Sequence, residues 1–288
     1  MSSETGPAFT TETLVSSDGT PIGCRRIGRG RPLVLVHGGL LASQHLVDLA
    51  ASLATDFEVV VSDRRCRGMS GPYVGGDVSV LDQEVSDVRA VIEHAGAQLA
   101  FGLSSGALVL LQAALSLEDI EKLAVYEPPL SVRKSAPIEW GARYERELAA
   151  GKTASALITG MHGLGVAPVM RRIPHLAAPL LSLMLRREKV APGDVPIRDL
   201  VPTWGKDLAV IEEMADQVEA FAALRAQVLL MSGSRSPAWL GRSIDVLEGV
   251  LPHSQRVTLS GLDHQGPVDK PARVGPVLQE FFASPAAS

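Results

Sequence analysis

The sequence predicts an α/β protein built on a mostly parallel, doubly wound sheet. Short apolar segments of strand length alternate with longer segments of helical spacing, a pattern typical of a parallel sheet with helices on both faces. The segment 130–205 interrupts this alternation, since it has helical character and contains seven prolines. We therefore expect a core formed by residues 1–129 and 206–288, with a helical cap formed by residues 130–205.

The individual elements of the core follow from hydrophobic patterning. Strands are predicted at 33–36, 59–61, 99–101, 123–126, 228–231 and 256–259. Helices are predicted at 80–95, 107–115 and 274–282. The first of these helices is the clearest, because Leu81, Val85, Val88 and Ile92 share one face at helical spacing.

Composition and charge exclude several functional classes. The net charge of −5 argues against nucleic-acid binding, which requires a clustered basic surface. No apolar run approaches the ~18 residues of a membrane span, and residues 1–13 lack the pattern of a signal peptide. Cys24 and Cys66 lack metal-ligand spacing, so two free thiols are expected. These observations predict a soluble, cytoplasmic protein without a nucleic-acid or membrane partner.

The most specific motif is a G-x-S-x-G sequence, Gly102-Leu103-Ser104-Ser105-Gly106, between a predicted strand and a predicted helix. Its two glycines permit a tight, strained turn. Such a turn lifts one serine hydroxyl clear of the sheet, directly in front of the N-terminus of the helix. Because only Ser104 fits this register, the motif predicts Ser104 as a nucleophile.

Three further motifs accompany the serine in a characteristic order. They are His37-Gly38-Gly39, the segment from Asp63 to Gly71, and Gly261-Leu262-Asp263-His264. Together with the serine motif they resemble the α/β-hydrolase family over nearly the whole chain. The resemblance implies that His264 is the general base. It also implies an oxyanion hole formed by the N–H groups of Ser105 and Gly39, with Leu40 as an alternative to Gly39. The segment 63–71 is expected to be a structural turn, and no metal or cofactor is implied.

The chain departs from the family at the acidic member of the triad. Most relatives carry Asp in a G-x-x-D sequence after the strand at 228–231, and this chain has Ser236 there. Neutralising that acid lowers the rate by roughly 10⁴. Glu127, at the end of the strand that follows the nucleophile helix, is our candidate for the acid, as in certain haloalkane dehalogenases. The alternatives are that Glu127 pairs with an arginine, that Ser236 orients the base, or that Asp263 does so.

The predicted cap is apolar and basic. Residues expected to form the walls of a substrate pocket are Leu40, Trp140, Met161 and Trp204. Between 130 and 205 there are 11 basic and 6 acidic residues, whereas the rest of the chain has a net charge of −10. One hypothesis is that the cap attracts an anionic or carrier-bound acyl substrate. The alternative is that its arginines pair with the acidic core.

Three functions remain open on the sequence alone. The first is a serine hydrolase that cleaves a small, largely apolar ester, thioester or lactone through an acyl-enzyme on Ser104. The second is a non-hydrolytic biosynthetic enzyme, that is, a lyase, cyclase or acyltransferase, which the serine at position 236 favours. The third is a ligand-binding module with vestigial catalysis, against which the intact Ser104 and His264 argue.

Overall fold

The computed structural model describes residues 8–166 and 172–285, and its core is one eight-stranded sheet. The order across the sheet is β1-β2-β4-β3-β5-β6-β7-β8. Only β2 runs against its neighbours, and all other adjacent pairs are parallel. The strands are β1 (Thr10–Val15), β2 (Pro21–Gly28), β3 (Arg31–Val36), β4 (Phe57–Ser62), β5 (Leu99–Leu103), β6 (Lys122–Tyr126), β7 (Gln227–Gly233) and β8 (Ser254–Leu259). The fold class that the sequence predicts is therefore confirmed.

Helices cover both faces of the sheet and also fill the chain between β6 and β7. They are α1 (Val47–Leu53), α2 (Val80–Ala95), α3 (Ser105–Ala114), α4 (Gly141–Ala149), α5 (Thr153–Leu164), α6 (Ala178–Arg187), α7 (Ile197–Leu200), α8 (Trp204–Glu213), α9 (Ala238–Val250), α10 (Gly266–Asp269) and α11 (Pro271–Ala283). Short 3₁₀ turns occur at Ser43–Leu46, His175–Ala177, Val201–Thr203 and Val218–Ala223. Within the described residues, none of these helices has both the length and the apolarity needed to cross a bilayer.

The core has two apolar layers, one on each face of the sheet, because successive strand residues point to opposite faces. In β3, Val34 and Val36 pack in the layer that contains α2, α3 and α9, whereas Leu33 and Leu35 pack in the layer with α1 and α11. All four side chains are fully buried. Parallel strands covered on both faces read as continuous apolar runs, and these runs make the core strands recognisable in the sequence.

The helices between β6 and β7 form a third apolar cluster above the carboxyl ends of the strands. Trp140, Tyr144, Leu157 and Trp204 are buried in it, and Leu40 of the core contacts them. Helix α8 begins in this cluster and ends in the core layer, so it crosses the boundary expected at residue 205. The division of the chain into a core and a cap stays a prediction. We call residues 130–205 the inserted segment.

Candidate active site

Ser104 lies at the turn between β5 and α3, at the carboxyl edge of the sheet. Its backbone has φ +55° and ψ −128°, a strained conformation for a residue with a side chain. The flanking glycines make the turn possible, since a Cβ on Gly102 would lie 2.6 Å from Cα of Ala107. A Cβ on Gly106 would lie 2.2 Å from the carbonyl oxygen of His37. The turn presents the hydroxyl at the N-terminus of α3.

The structure brings Ser104, His264 and Glu127 together from three separate loops. His264 Nε2 lies 3.0 Å from Ser104 Oγ, and His264 Nδ1 lies 2.7 Å from Glu127 Oε2. The three side chains therefore form a continuous chain of hydrogen bonds. In this arrangement Nδ1–H of the imidazole donates to the carboxylate, which leaves Nε2 free to accept a proton from the serine hydroxyl.

Glu127 is fixed by the ends of two strands. It is fully buried and has φ +48°. Its own N–H donates to the carbonyl of Met231 at 3.0 Å, and its Oε1 accepts the N–H of Gly233 at 2.7 Å. One carboxylate oxygen is thus held by β7 while the other faces His264. Among the described residues no lysine or arginine contacts its carboxylate, so pairing with an arginine is not seen there.

Neither alternative partner of the base is hydrogen-bonded to its imidazole. Ser236 Oγ is buried without a hydrogen-bond partner among the described residues. Asp263 Oδ1 accepts the N–H of Gln265, and the carbonyl of Asp263 accepts the Tyr126 hydroxyl at 2.7 Å. These two contacts fix the loop that carries His264, and neither involves the imidazole.

The predicted oxyanion donors border Ser104. The N–H of Ser105 belongs to the first turn of α3, where backbone N–H groups have no partner inside the helix. The segment His37-Gly38-Gly39 passes directly beside the serine, because a Cβ on Gly38 would lie 2.8 Å from Cβ of Ser104. His37 holds this segment, since its Nδ1 donates to the carbonyl of Gly38 and its Nε2 accepts the N–H of Arg64. Burial and the nearby Arg67 and Arg64 hold the pKa of His37 well below its usual range, so its imidazole is neutral.

A cavity of about 250 Å³ opens in front of Ser104 and His264. Of the residues predicted to form its walls, Leu40, Met161 and Trp204 line it, while Trp140 packs behind Trp204 at a ring distance of 5.0 Å. Trp239 and Val268 also line it, although the sequence analysis did not single them out. The cavity is smaller than most sites for drug-sized ligands, and most of its lining side chains are apolar.

Sequence analysis did not predict three other polar residues that line this cavity, namely His45, Asp207 and Gln265. Asp207 is the most unusual, because it is 2% exposed and carries a carboxylate. It lies on α8 and hydrogen-bonds to Ser105, Arg64 and Arg67. No local sequence pattern marks it. The turn motif at Asp63–Gly71 is the one signal that could have suggested buried arginines in need of a carboxylate.

Comparison with known proteins agrees with this architecture. The family model described as "Alpha/beta hydrolase family" matches residues 33–277. A solved α/β hydrolase from Sphaerobacter thermophilus is 34% identical, with a TM-score of 0.77 over 94% of this chain and 100% of that one.

Two more distant structures share the fold. The enol-lactonase from Burkholderia xenovorans has 19% identity and a TM-score of 0.71, over 95% of this chain and 100% of that one. A thermophilic esterase from Thermogutta terrifontis has 19% identity and a TM-score of 0.70, over 95% of this chain and 98% of that one. No protein with a curated description matched. The family match, the similarity to the Sphaerobacter protein and the shared sheet topology show that this chain belongs to the α/β-hydrolase family.

Proposed function

We propose that this protein is a serine hydrolase that cleaves a small, uncharged and largely apolar carboxylic ester, thioester or lactone. Membership of the family supports hydrolase activity in general, and an enol-lactonase and an esterase are among the structural neighbours. The observation that carries the finer proposal is the hydrogen-bond chain from Glu127 through His264 to Ser104. These hydrogen bonds connect a nucleophile, a general base and an orienting carboxylate, which are the groups that activate a serine for acyl transfer.

In the proposed reaction Ser104 Oγ attacks the carbonyl carbon while His264 Nε2 accepts the hydroxyl proton. The N–H groups of Ser105 and Gly39 stabilise the negative charge on the carbonyl oxygen. The carbon–oxygen or carbon–sulfur bond to the leaving group then breaks, and His264 returns the proton to that group. Water, activated by His264, hydrolyses the acyl-enzyme. Throughout, the buried Glu127 carboxylate stabilises the imidazolium.

The position of Glu127 bears on the competing reactions. A lyase, cyclase or acyltransferase was favoured by the serine at position 236, where most relatives have the acid. Glu127 Oε2 lies 2.7 Å from the imidazole, so a carboxylate from another strand can serve as the acid, and this supports hydrolysis over those reactions. The hydrogen-bonded Ser104 likewise argues against vestigial catalysis.

Labelling with a fluorophosphonate, followed by peptide mapping, tests the proposal. We expect an adduct on Ser104 in the wild type and none there in Ser104→Ala. Glu127→Gln should keep the shape of the site but lower kcat for p-nitrophenyl butyrate by roughly 10⁴. Ser236→Ala is the matched control, since its hydroxyl contacts no group of the site, and its kcat should change less than about threefold. An unlabelled but folded wild type would refute the proposal, and the reverse order of the two variants would assign the orienting role to Ser236.

A further inference from the structure

A buried cluster of charged side chains lies behind the proposed oxyanion hole. Arg64 and Arg67 follow β4, Glu84 lies on α2, and Asp207 lies on α8. Each is 3% exposed or less. Asp207 Oδ1 accepts a hydrogen bond from Arg64 Nη1 and Oδ2 accepts one from Arg67 Nη2, both at 2.7 Å. Arg64 Nε also donates to Glu84.

Asp207 contacts both segments that supply the proposed donors. The Ser105 hydroxyl donates to Asp207 Oδ1 at 2.6 Å and accepts from Arg64 Nη1 at 2.9 Å. On the other side, a Cβ on Gly39 would lie 3.0 Å from Asp207 Oδ2, so the carboxylate packs against that residue. A single side chain thus touches the two residues whose N–H groups must point at the same substrate oxygen.

Two buried arginines compensate the negative charge of the Asp207 carboxylate beside the proposed oxyanion hole. An isolated anion beside an oxyanion hole would oppose the negative charge that forms on the substrate. Burial disfavours the charged form of Asp207, but Arg67 and Arg64 outweigh burial and hold its pKa below the usual value. The two arginines and the two carboxylates together carry no net charge. Asp207 can therefore hold Ser105 with a charge-assisted hydrogen bond without repelling the oxyanion.

We infer that Asp207 is a positioning residue that sets the geometry of the oxyanion hole through Ser105 and Gly39. This inference rests on the proposed function. Because α8 begins at Trp204, at the end of the inserted segment, the inference also makes catalysis depend on how that segment packs on the core. A displacement of donors by about 1 Å can lower rates by about 10².

Inhibition by two ketones of equal chain length can distinguish a positioning role of Asp207 from a purely structural role. In a trifluoromethyl ketone, Ser104 Oγ forms a bond to the carbonyl carbon, its proton passes to His264, and the hemiketal oxygen becomes an anion in the hole. The methyl ketone binds without becoming this anion to a comparable extent. We expect Asp207→Asn and Ser105→Ala each to raise the inhibition constant of the trifluoromethyl ketone about ten- to a hundredfold, because inhibition becomes weaker. The inhibition constant of the methyl ketone should change less than about threefold.

Asp87→Asn is the matched control, because it disrupts another buried ion pair, which Asp87 forms with Arg65 of the same turn. Asp87 binds Arg65 with two hydrogen bonds of 2.6 and 2.8 Å and does not line the cavity. This variant should lower the melting temperature and leave the ratio of the two inhibition constants unchanged. Ser105→Ala keeps the test decisive if Asp207→Asn does not fold, since it removes only a hydroxyl.

The outcomes distinguish this inference from the proposed function. If the ratio in Ser105→Ala and in folded Asp207→Asn equals that of the wild type, Asp207 has only a structural role and the inference is overturned. If the wild type forms neither the hemiketal nor the fluorophosphonate adduct, the proposed function fails first and the inference fails with it.

Discussion

Three residues of the proposed site have a strained backbone. Leu40, Ser104 and Glu127 all have φ between +48° and +56°, although none of them is a glycine. Residues held in this region cost of order 1–3 kcal/mol each and persist only where the surrounding structure enforces them. Here the enforcement includes the hydrogen bonds of Glu127 to β7 and the close approach of the glycines around Ser104.

Adding one methyl group at Gly106 tests whether close packing holds the strained turn at Ser104. Replacing a helical glycine by alanine usually stabilises a protein by about 0.5–1 kcal/mol. In Gly106→Ala the new Cβ would lie 2.2 Å from the carbonyl oxygen of His37, so we expect a loss of about 1–3 kcal/mol and slower labelling of Ser104. Gly241→Ala on α9, where a Cβ would meet nothing within 4 Å, is the control and should show the usual gain. Urea unfolding measures both, and equal stabilities for the two variants would contradict the argument.

Among the helices and strands, those with a clear local pattern of apolar and capping residues could be predicted from the sequence. Helix α2 spans the predicted residues 80–95, because its apolar stripe is bounded by clear caps. Ser79 Oγ accepts the N–H of Asp82, and Gly96 ends the helix in the left-handed conformation. By contrast, strands β1 and β2 were missed. In β1 only Leu14 is buried, so an edge strand of this kind shows no apolar run.

Helix α11 depends on a contact that no local pattern reveals. Lys122, at the start of β6, is fully buried, and its Nζ donates to the carbonyl of Phe281 at 2.7 Å and to Ser284 Oγ at 2.8 Å. A cation there satisfies the last carbonyls of the helix and interacts favourably with its dipole.

We therefore expect Lys122→Met to lower the free energy of unfolding by about 1–3 kcal/mol. It should also speed amide hydrogen exchange in the last turn of α11. Lys270→Met, which removes an exposed lysine just before the same helix, should change stability by less than about 0.5 kcal/mol. Unchanged exchange at the end of α11 in Lys122→Met would show that the buried ammonium does not hold it.

For the whole molecule, topology explains which parts of the candidate site could be found from the sequence. Ser104, Glu127 and His264 follow three different parallel strands, and the carboxyl ends of parallel strands meet at one edge of a sheet. Their proximity could therefore be proposed before any coordinates were available. Asp207 could not be found this way, because its contact with Arg64 depends on how the chain after the inserted segment packs on the core. Trp140 and Trp204 show the same limit, since only packing decides which of two neighbouring indoles faces the cavity.

Charge is unevenly distributed over the whole molecule. The inserted segment has a net charge of +5 and the rest of the chain −10. Within the described part of the chain, however, no lysine or arginine lines the cavity, and Arg64 and Arg67, which contact its lining residue Asp207, are already paired with that carboxylate. A substrate carboxylate would thus meet no lysine or arginine of the described residues, and burying an unpaired charge is strongly unfavourable. We expect kcat/KM for p-nitrophenyl butyrate to exceed that for mono-4-nitrophenyl succinate by at least about tenfold, with little change between low and high salt. A preference for the succinate ester that decreases as salt is added would instead indicate that the inserted segment attracts anionic substrates.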